Sequence, residues 1–218
     1  MIHNQPILGL MVAVGPGRGK CISAAGRTRP ILSESLRMTS RRRNREYRSQ
    51  AMRRYTKQRQ RNLLAQPGEQ PFIIVLDHLK AGFNVPKVFR SAQAFGAREV
   101  HLVDIGPFDP APAKGAFKAV PARFFDTFAE SYEVLKALSY VCFTLEPGGG
   151  APLCECGLPE RSAFVFGHEE MGLSFKPEHY PDMRSLTIPQ SGIVESLNVS
   201  IAASIVMYEY VRQRSRRV

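Results

Sequence analysis

From residue 72 onward, short apolar runs alternate with segments of helical period. The runs at 72–77 (FIIVLD), 99–104 (EVHLVD), 140–145 (YVCFTL) and 163–167 (AFVFG) are rich in β-branched and aromatic residues. Their continuous rather than alternating apolar character predicts strands buried on both faces. A shorter run at 184–188 predicts a fifth strand. Residues 86–95, 128–138 and 199–212 carry apolar positions at helical spacing, so helices are expected between and after the strands. Strands alternating with helices predict an α/β fold with a mostly parallel sheet covered on both faces. Ligands in such sheets gather beyond the carboxyl ends of the strands, which here are Asp77, Glu146, Gly167 and Pro189.

The junction between the last strand and the last helix, IPQSGIVESLNVSIAAS at 188–204, is the most informative stretch. Pro189 and Gly192 stop the strand and force a turn. Ser196 and Asn198 are both residue types that cap a helix N-terminus. Such a junction leaves backbone N–H groups without partners in the chain, which is what a polar ligand needs.

Charge is divided unevenly. Residues 1–70 carry 15 Lys and Arg against Glu34, Glu46 and Glu69, whereas residues 71–218 hold 15 basic and 16 acidic groups. The chain's net charge of +11 therefore lies in its first third, as expected of an arm for a polyanion rather than of a basic core. Between Arg37 and Arg61 there are eleven basic residues and one acid, with no Pro or Gly, which permits a helix. Tyr47, Ala51 and Tyr55, at four-residue steps, would form its partly apolar stripe. Arg41, Arg42, Arg43, Arg45, Arg48, Arg53 and Arg54 are the expected phosphate contacts, with the tyrosines available to stack on bases. Lys114 and Lys118, in the long loop 104–122, are further candidates. Three regions are expected: a poorly ordered segment 1–36, a basic arm and linker 37–70 ending in Gln66, Pro67, Gly68 and Pro71, and the α/β domain 71–218. Met38 opens the more regular part and is an alternative start of the protein.

Other classes are excluded. No apolar run approaches the ~18 residues that span a bilayer, and the short run 7–14 has no basic residues before it, unlike a signal peptide. Cys21, Cys142, Cys154 and Cys156 are too few and too irregular for a disulfide framework or a zinc site, so reduced thiols in a cytoplasmic protein and no metal are expected. The GPGRGK run at 15–20 fails as a phosphate loop, because Val14 stands where a Gly is required and Cys21 where Ser or Thr is required.

Two upstream stretches accompany the 188–204 junction. In FNVPKVFRSAQAFGA (83–97), Pro86 is expected at the first helical position, with Asn84 just before the cap. Arg90 then falls about one turn in, where a cation gains nothing from the helix dipole and requires another reason, such as a phosphate, a developing oxyanion, or a salt bridge to Glu169 or Asp77. In FVFGHEEMGLS (164–174), a strand runs into Gly167, two acids and Gly172. Glycines allow close backbone approach, and a carboxylate there can orient neighbouring groups.

In order and spacing, these three stretches resemble the motifs of the SpoU (TrmH) family of the SPOUT RNA methyltransferase superfamily. Asn84, Arg90, Ser91, Ala92, Phe95 and Gly96 match the first motif. Gly167, Glu169, Gly172 and Leu173 match the second, and Ile188, Pro189, Gly192, Ser196, Leu197, Asn198, Val199 and Ser200 the third. Pro86 and His168 depart from the pattern, His168 standing where the family usually has Asn. The resemblance implies a trefoil-knotted domain and a homodimer whose contact uses the C-terminal helix, with Ile201, Ile205 and Tyr208 on one face. It also implies S-adenosyl-L-methionine-dependent methylation of a ribose 2′-hydroxyl in tRNA or rRNA.

By the same resemblance, Leu145, Gly167, His168, Gly172, Ile188, Ser196 and Leu197 bind the cofactor. Arg90, Asn84, Glu169, Ser196 and Asn198 form the catalytic corner. A guanidinium does not readily release its proton, so the role expected of Arg90 is to stabilise the forming alkoxide. A catalytically inactive RNA-binding homologue, supported only by His168, and base methylation within the superfamily are the alternatives.

Overall fold

The computed structural model describes residues 32–215. The GPGRGK run, Cys21 and residues 1–31 lie outside the described residues. The chain divides into two compact units, Met1–Ser40 and Arg41–Val218, and the side-chain contacts below all lie in the second.

A 31-residue helix, α1 (Leu32–Asn62), comes first. Good helix formers fill it, no Pro or Gly interrupts it, and Arg59 and Arg61 suit its negatively polarised end. It ends in a turn in which Leu64 N–H donates to Arg61 O and Ala65 N–H to Asn62 O. The basic half is solvated, since Arg41, Arg43, Arg45, Arg48 and Arg53 are all exposed. The last two turns behave differently. Tyr55 is 4% exposed, stacked on Phe117 at 5.7 Å and edge-on to Phe108 at 5.3 Å. Asn62, also buried, donates to the carbonyls of Phe117 (2.5 Å) and Val120 (2.6 Å) and accepts from Ala122 N–H (3.0 Å). The expectation that both tyrosines are free to stack on bases is therefore corrected for Tyr55, whose ring is already buried between phenylalanines.

The sheet is built from β1 (Gln70–Asp77), β2 (Ala97–Val103), β3 (Ala122–Phe125), β4 (Val141–Leu145), β5 (Ala151–Pro152), β6 (Ser162–Phe166) and β7 (Arg184–Thr187). Its order is β3-β2-β1-β6-β4-β7-β5, with every pairing parallel. The other helices are α2 (Asn84–Ala94), α3 (Phe128–Ala137) and α4 (Val199–Ser215). Along β1, Phe72, Ile74 and Leu76 pack into the core shared with α2 and α4, while Ile73 and Val75 join the core under α3. A strand packed on both faces reads as an unbroken apolar run, which is why the central strands are legible. β3 and β5 are not: one is a half-exposed ARFF and the other two residues long, both at sheet edges.

Loop 104–122 contains two short 3₁₀ turns, Ala111–Ala113 and Ala116–Lys118, and buries Phe108, Phe117 and Val120 against α1 and α2. α2 begins at Asn84, so Pro86 is its third residue and not its first. Proline is accepted there because the first-turn N–H groups have no intrahelical acceptor in any case. Arg90 is accordingly the seventh residue of α2, nearly two turns in, where the dipole argument for an external partner loses its force.

Candidate active site

The loops leaving β4, β6 and β7 enclose a cavity of about 680 Å³. Leu145, Phe166, Leu173, Ile188 and Leu197 give it apolar walls. Glu146, Glu169, Gln190, Ser196 and Asn198 supply polar groups. A volume in this range, mostly apolar with a few convergent polar groups, suits a small organic ligand. All seven residues expected at a cofactor, Leu145, Gly167, His168, Gly172, Ile188, Ser196 and Leu197, line it.

The loop after β6 owes its shape to its sequence. His168 N–H donates to Gly172 O (2.7 Å) and Gly172 N–H to His168 O (2.9 Å), closing a tight antiparallel turn. Gly167 cannot carry a side chain here, because a Cβ would lie 2.6 Å from the Gly172 carbonyl and 2.8 Å from Leu173 N. Gly172 has φ 73°, the left-handed region that glycine enters without penalty. The His168 ring fills the turn from inside: its Nδ1 accepts from Glu170 N–H (3.0 Å) and Met171 N–H (3.2 Å). An atom accepting two N–H groups carries no proton, so the ring is the Nε2–H tautomer. Backbone N–H groups two and three residues on are what an Asn side-chain oxygen accepts in a turn. The imidazole thus supplies, in this turn, an acceptor of the kind that an Asn side-chain oxygen could supply.

Three segments then meet beside the cavity. Asn84 Nδ2, at the start of α2, donates to Glu169 Oε1 at 2.5 Å, and Asn198 Nδ2 donates to Asn84 Oδ1 at 3.2 Å. Asn198 Oδ1 accepts from Ser200 N–H (3.0 Å) and Ser200 Oγ–H (2.6 Å), so Asn198 is the cap of α4. Ser196 does not cap and stays exposed in the cavity wall. Farther along the α2–α4 contact, Ser91 Oγ lies 2.7 Å from Ser204 Oγ.

Two acids have settled partners. Asp77 is fully buried and accepts from Ser174 N–H (2.7 Å) and Ser174 Oγ–H (2.8 Å), fastening the exit of the 168–174 loop. Burial pushes its carboxyl up from the usual range, against the pull of those hydrogen bonds. Asp77, at a strand end where ligands gather, thus serves the loop. Glu169 serves Asn84. Neither pairs with Arg90, which is exposed and makes no hydrogen bond or ion pair among the described residues. Arg90 does not line the cavity. Six residues after Asn84, it leaves α2 about 240° around the axis at ~100° per residue. The structure thus brings Asn84, Glu169 and Asn198 into one hydrogen-bonded set beside the cavity that Ser196 lines, and Arg90 is not among the cavity-lining residues.

Of the expected phosphate contacts, Arg41, Arg43, Arg45, Arg48, Arg53, Lys114 and Lys118 are exposed, and Arg42 pairs with Glu46 at 3.0 Å. Arg54 is committed elsewhere: its guanidinium makes two hydrogen bonds to the Asp109 carboxylate, at 3.0 and 2.8 Å. Sequence reading missed Phe166, Phe175, Pro177 and Ala202 in the cavity wall. Their signal was only that each lies a few residues from a strand end or a turn.

No group of three or more His, Cys, Asp or Glu suited to a metal exists among the described residues, and no described helix is long and apolar enough to cross a membrane.

Residues 71–208 match the model of the SpoU rRNA Methylase family. A 23S rRNA (guanosine-2′-O-)-methyltransferase from Neisseria meningitidis serogroup B is 32% identical over 162 residues, covering 70% of this chain and 63% of that protein. The chain spans less than two thirds of the length of the first curated relatives it matches. Among solved structures, the SpoU methyltransferase AviRb from Streptomyces viridochromogenes, crystallised with AdoMet, aligns with a TM-score of 0.62 at 24% identity, over 70% of this chain and 62% of that one. A structure described by the 2-OH methylation of C/U34 on tRNA aligns with a TM-score of 0.57 at 28% identity, over 67% of this chain and 97% of that one.

Proposed function

Because the chain belongs to the SpoU rRNA methylase family, we propose that it is an S-adenosyl-L-methionine-dependent RNA methyltransferase acting on a ribose 2′-hydroxyl of tRNA or rRNA. The observation that carries this reading is the hydrogen-bonded set Glu169–Asn84–Asn198 standing beside a cavity lined by all seven expected cofactor residues. The cavity fits the cofactor's chemistry. Leu145, Ile188 and Leu197 suit a purine face, the tight Gly167–Gly172 turn brings main chain to the cavity without side-chain obstruction, and the Glu146 and Glu169 carboxylates suit a cationic ligand.

When bound, S-adenosyl-L-methionine supplies a methyl group on a cationic sulfur. The chain's contribution is then alignment, which supplies roughly 7–11 kcal/mol in favourable cases. Asn84, clamped by Glu169 and Asn198, and Ser196 orient the ribose. Arg90, which pairs with no carboxylate among the described residues and lies outside the cavity lining, takes from its motif position the role of stabilising the hydroxyl as it loses its proton to a neighbouring phosphate or water. The exposed arginines of α1 hold the RNA backbone.

The same reading includes a homodimer through α4, supported by the exposure of Ile201 (52%) and Tyr208 (57%) with half-buried Ile205 between them. It includes the trefoil knot implied by the motif resemblance, and a cytoplasmic location. His168 supplies the acceptor that holds its turn closed, so its departure from the motif is no argument for an inactive homologue. Nucleoside analysis of RNA methylated by the purified protein tests the proposal and separates ribose from base methylation.

A further inference from the structure

A second cavity, of about 380 Å³, opens between α1 and the loops that follow β1 and β2. We propose that it holds an unpaired base of the RNA, a neighbour of the methylated nucleotide; this rests on the methyltransferase reading above.

Its walls are those of a stacking site. Phe83 is 66% exposed, Met52 49% and Tyr47 47%, an apolar and aromatic rim left open to solvent, with Phe108 buried beneath it. Every base has a π-face, so such rings bind single strands with little regard to sequence. The electrostatics suit an anion. Arg48 lines the groove, exposed and unpaired among the described residues, and at steps of four and three residues exposed Arg41 and Arg45 lie on the same side of α1.

The one acid in the groove is masked. Asp109 accepts two hydrogen bonds from Arg54 and one from Tyr47 Oη–H at 2.8 Å, and those donors hold its carboxyl below the usual range. An arginine row that tracks phosphates beside an aromatic platform is the arrangement by which proteins hold single-stranded RNA.

Position ties the groove to the chemistry. Phe83 immediately precedes Asn84, whose side chain is bonded to Glu169 at the rim of the first cavity. A base stacked on Phe83 and a ribose beside Asn84 therefore flank the start of α2. A single exposed ring would need no explanation, but Phe83, Met52 and Tyr47 together leave an apolar patch open to solvent at the groove.

The test uses the full chain and a 5′-fluorescein 20-nucleotide single-stranded RNA of mixed sequence, with a duplex of the same length beside it. Phe83→Ala is expected to weaken single-strand binding about ten-fold, to change duplex binding less than two-fold, and to leave S-adenosyl-L-methionine affinity within two-fold. Phe83→Trp is expected to restore single-strand binding. Photocrosslinking with 4-thiouridine in the same RNA is expected to label the peptides carrying Tyr47 or Phe83. Single-strand affinity unchanged in Phe83→Ala, with crosslinks elsewhere on α1, overturns the groove and leaves the methyltransferase reading intact. Weakened single-strand binding in Phe83→Ala, together with no methyl transfer by the wild-type protein, supports the groove as an RNA site while removing the activity assigned to the first cavity.

Discussion

The Nδ1 atom of His168 lies 3.0 Å from the backbone nitrogen of Glu170, and this contact shapes the loop that walls the larger cavity. Replacing the ring by an amide keeps an acceptor at that place, whereas alanine leaves two backbone N–H groups without one. His168→Asn is expected to bind S-adenosyl-L-methionine within about three-fold of wild type, and His168→Ala about ten-fold more weakly, ~1.4 kcal/mol, by calorimetry. Wild-type affinity in His168→Ala contradicts the role given to the ring.

The end of α1 belongs to the folded core. Tyr55→Ala removes a ring stacked on Phe117 and edge-on to Phe108 and is expected to lower the unfolding free energy by about 3 kcal/mol, in the lower part of the range for buried aromatic truncations. Tyr47→Ala, at a 47% exposed position, is expected to cost under ~1 kcal/mol. Urea unfolding measures both. Equal, small losses would mean that α1 is an independent arm.

That docking changes how the RNA contacts of α1 are tested. Deleting residues 1–64 would strip Tyr55 and Asn62 from the core, so charge removal is cleaner. The fourfold variant Arg41→Ala, Arg43→Ala, Arg45→Ala, Arg48→Ala alters only exposed side chains. The slope of log affinity against log salt for single-stranded RNA is expected to flatten by roughly 3, since each phosphate contact contributes about 0.7. An unchanged slope places the phosphates elsewhere.

A buried polar trio sets the acid limit of stability. His101 is fully buried, with Nδ1 2.7 Å from Ser131 Oγ and Nε2 2.9 Å from Glu99 Oε1. Burial lowers the imidazole's pKa more than Glu99 raises it, so the ring is neutral, donating to Glu99 and accepting from Ser131. Glu99's own pKa is lowered: burial raises it, but the hydrogen bond from His101 and nearby cations outweigh that. With both folded-state pKa values below the unfolded ones, the unfolded chain binds more protons in acid. Stability from His101 is complete above its unfolded value near 6.5 and declines as pH falls below it, and Glu99 adds to the loss below about 4.5. Urea midpoints are expected to be level between pH 7 and 8.5 and to drop from pH 6.5 to 5. His101→Gln is expected to flatten that drop.

The sheet and three of the four helices were legible wherever a segment was buried on both faces or had one wide apolar stripe. Edge strands β3 and β5 were not, because half-exposed or two-residue strands carry no period. The cofactor wall was legible through motif spacing, for Gly167 and Gly172 above all, where backbone crowding leaves no room for another residue. What spacing could not give was partnership. That Asp77 would turn to Ser174, Arg54 to Asp109 and Tyr55 into a phenylalanine cluster depends on residues 53 to 97 positions away. Arg90's place in α2 was misjudged by about two residues, because Pro86 was read as the first helical residue when it is the third.

The most direct test supplies purified protein with S-adenosyl-L-methionine labelled in its methyl group and RNA from cells lacking the gene, then digests the RNA to nucleosides for mass spectrometry. Label is expected in a 2′-O-methylnucleoside, and to vanish in Arg90→Ala while that variant binds S-adenosyl-L-methionine within a few fold of wild type. Label on a base, or near-normal transfer by Arg90→Ala, would contradict the assignment.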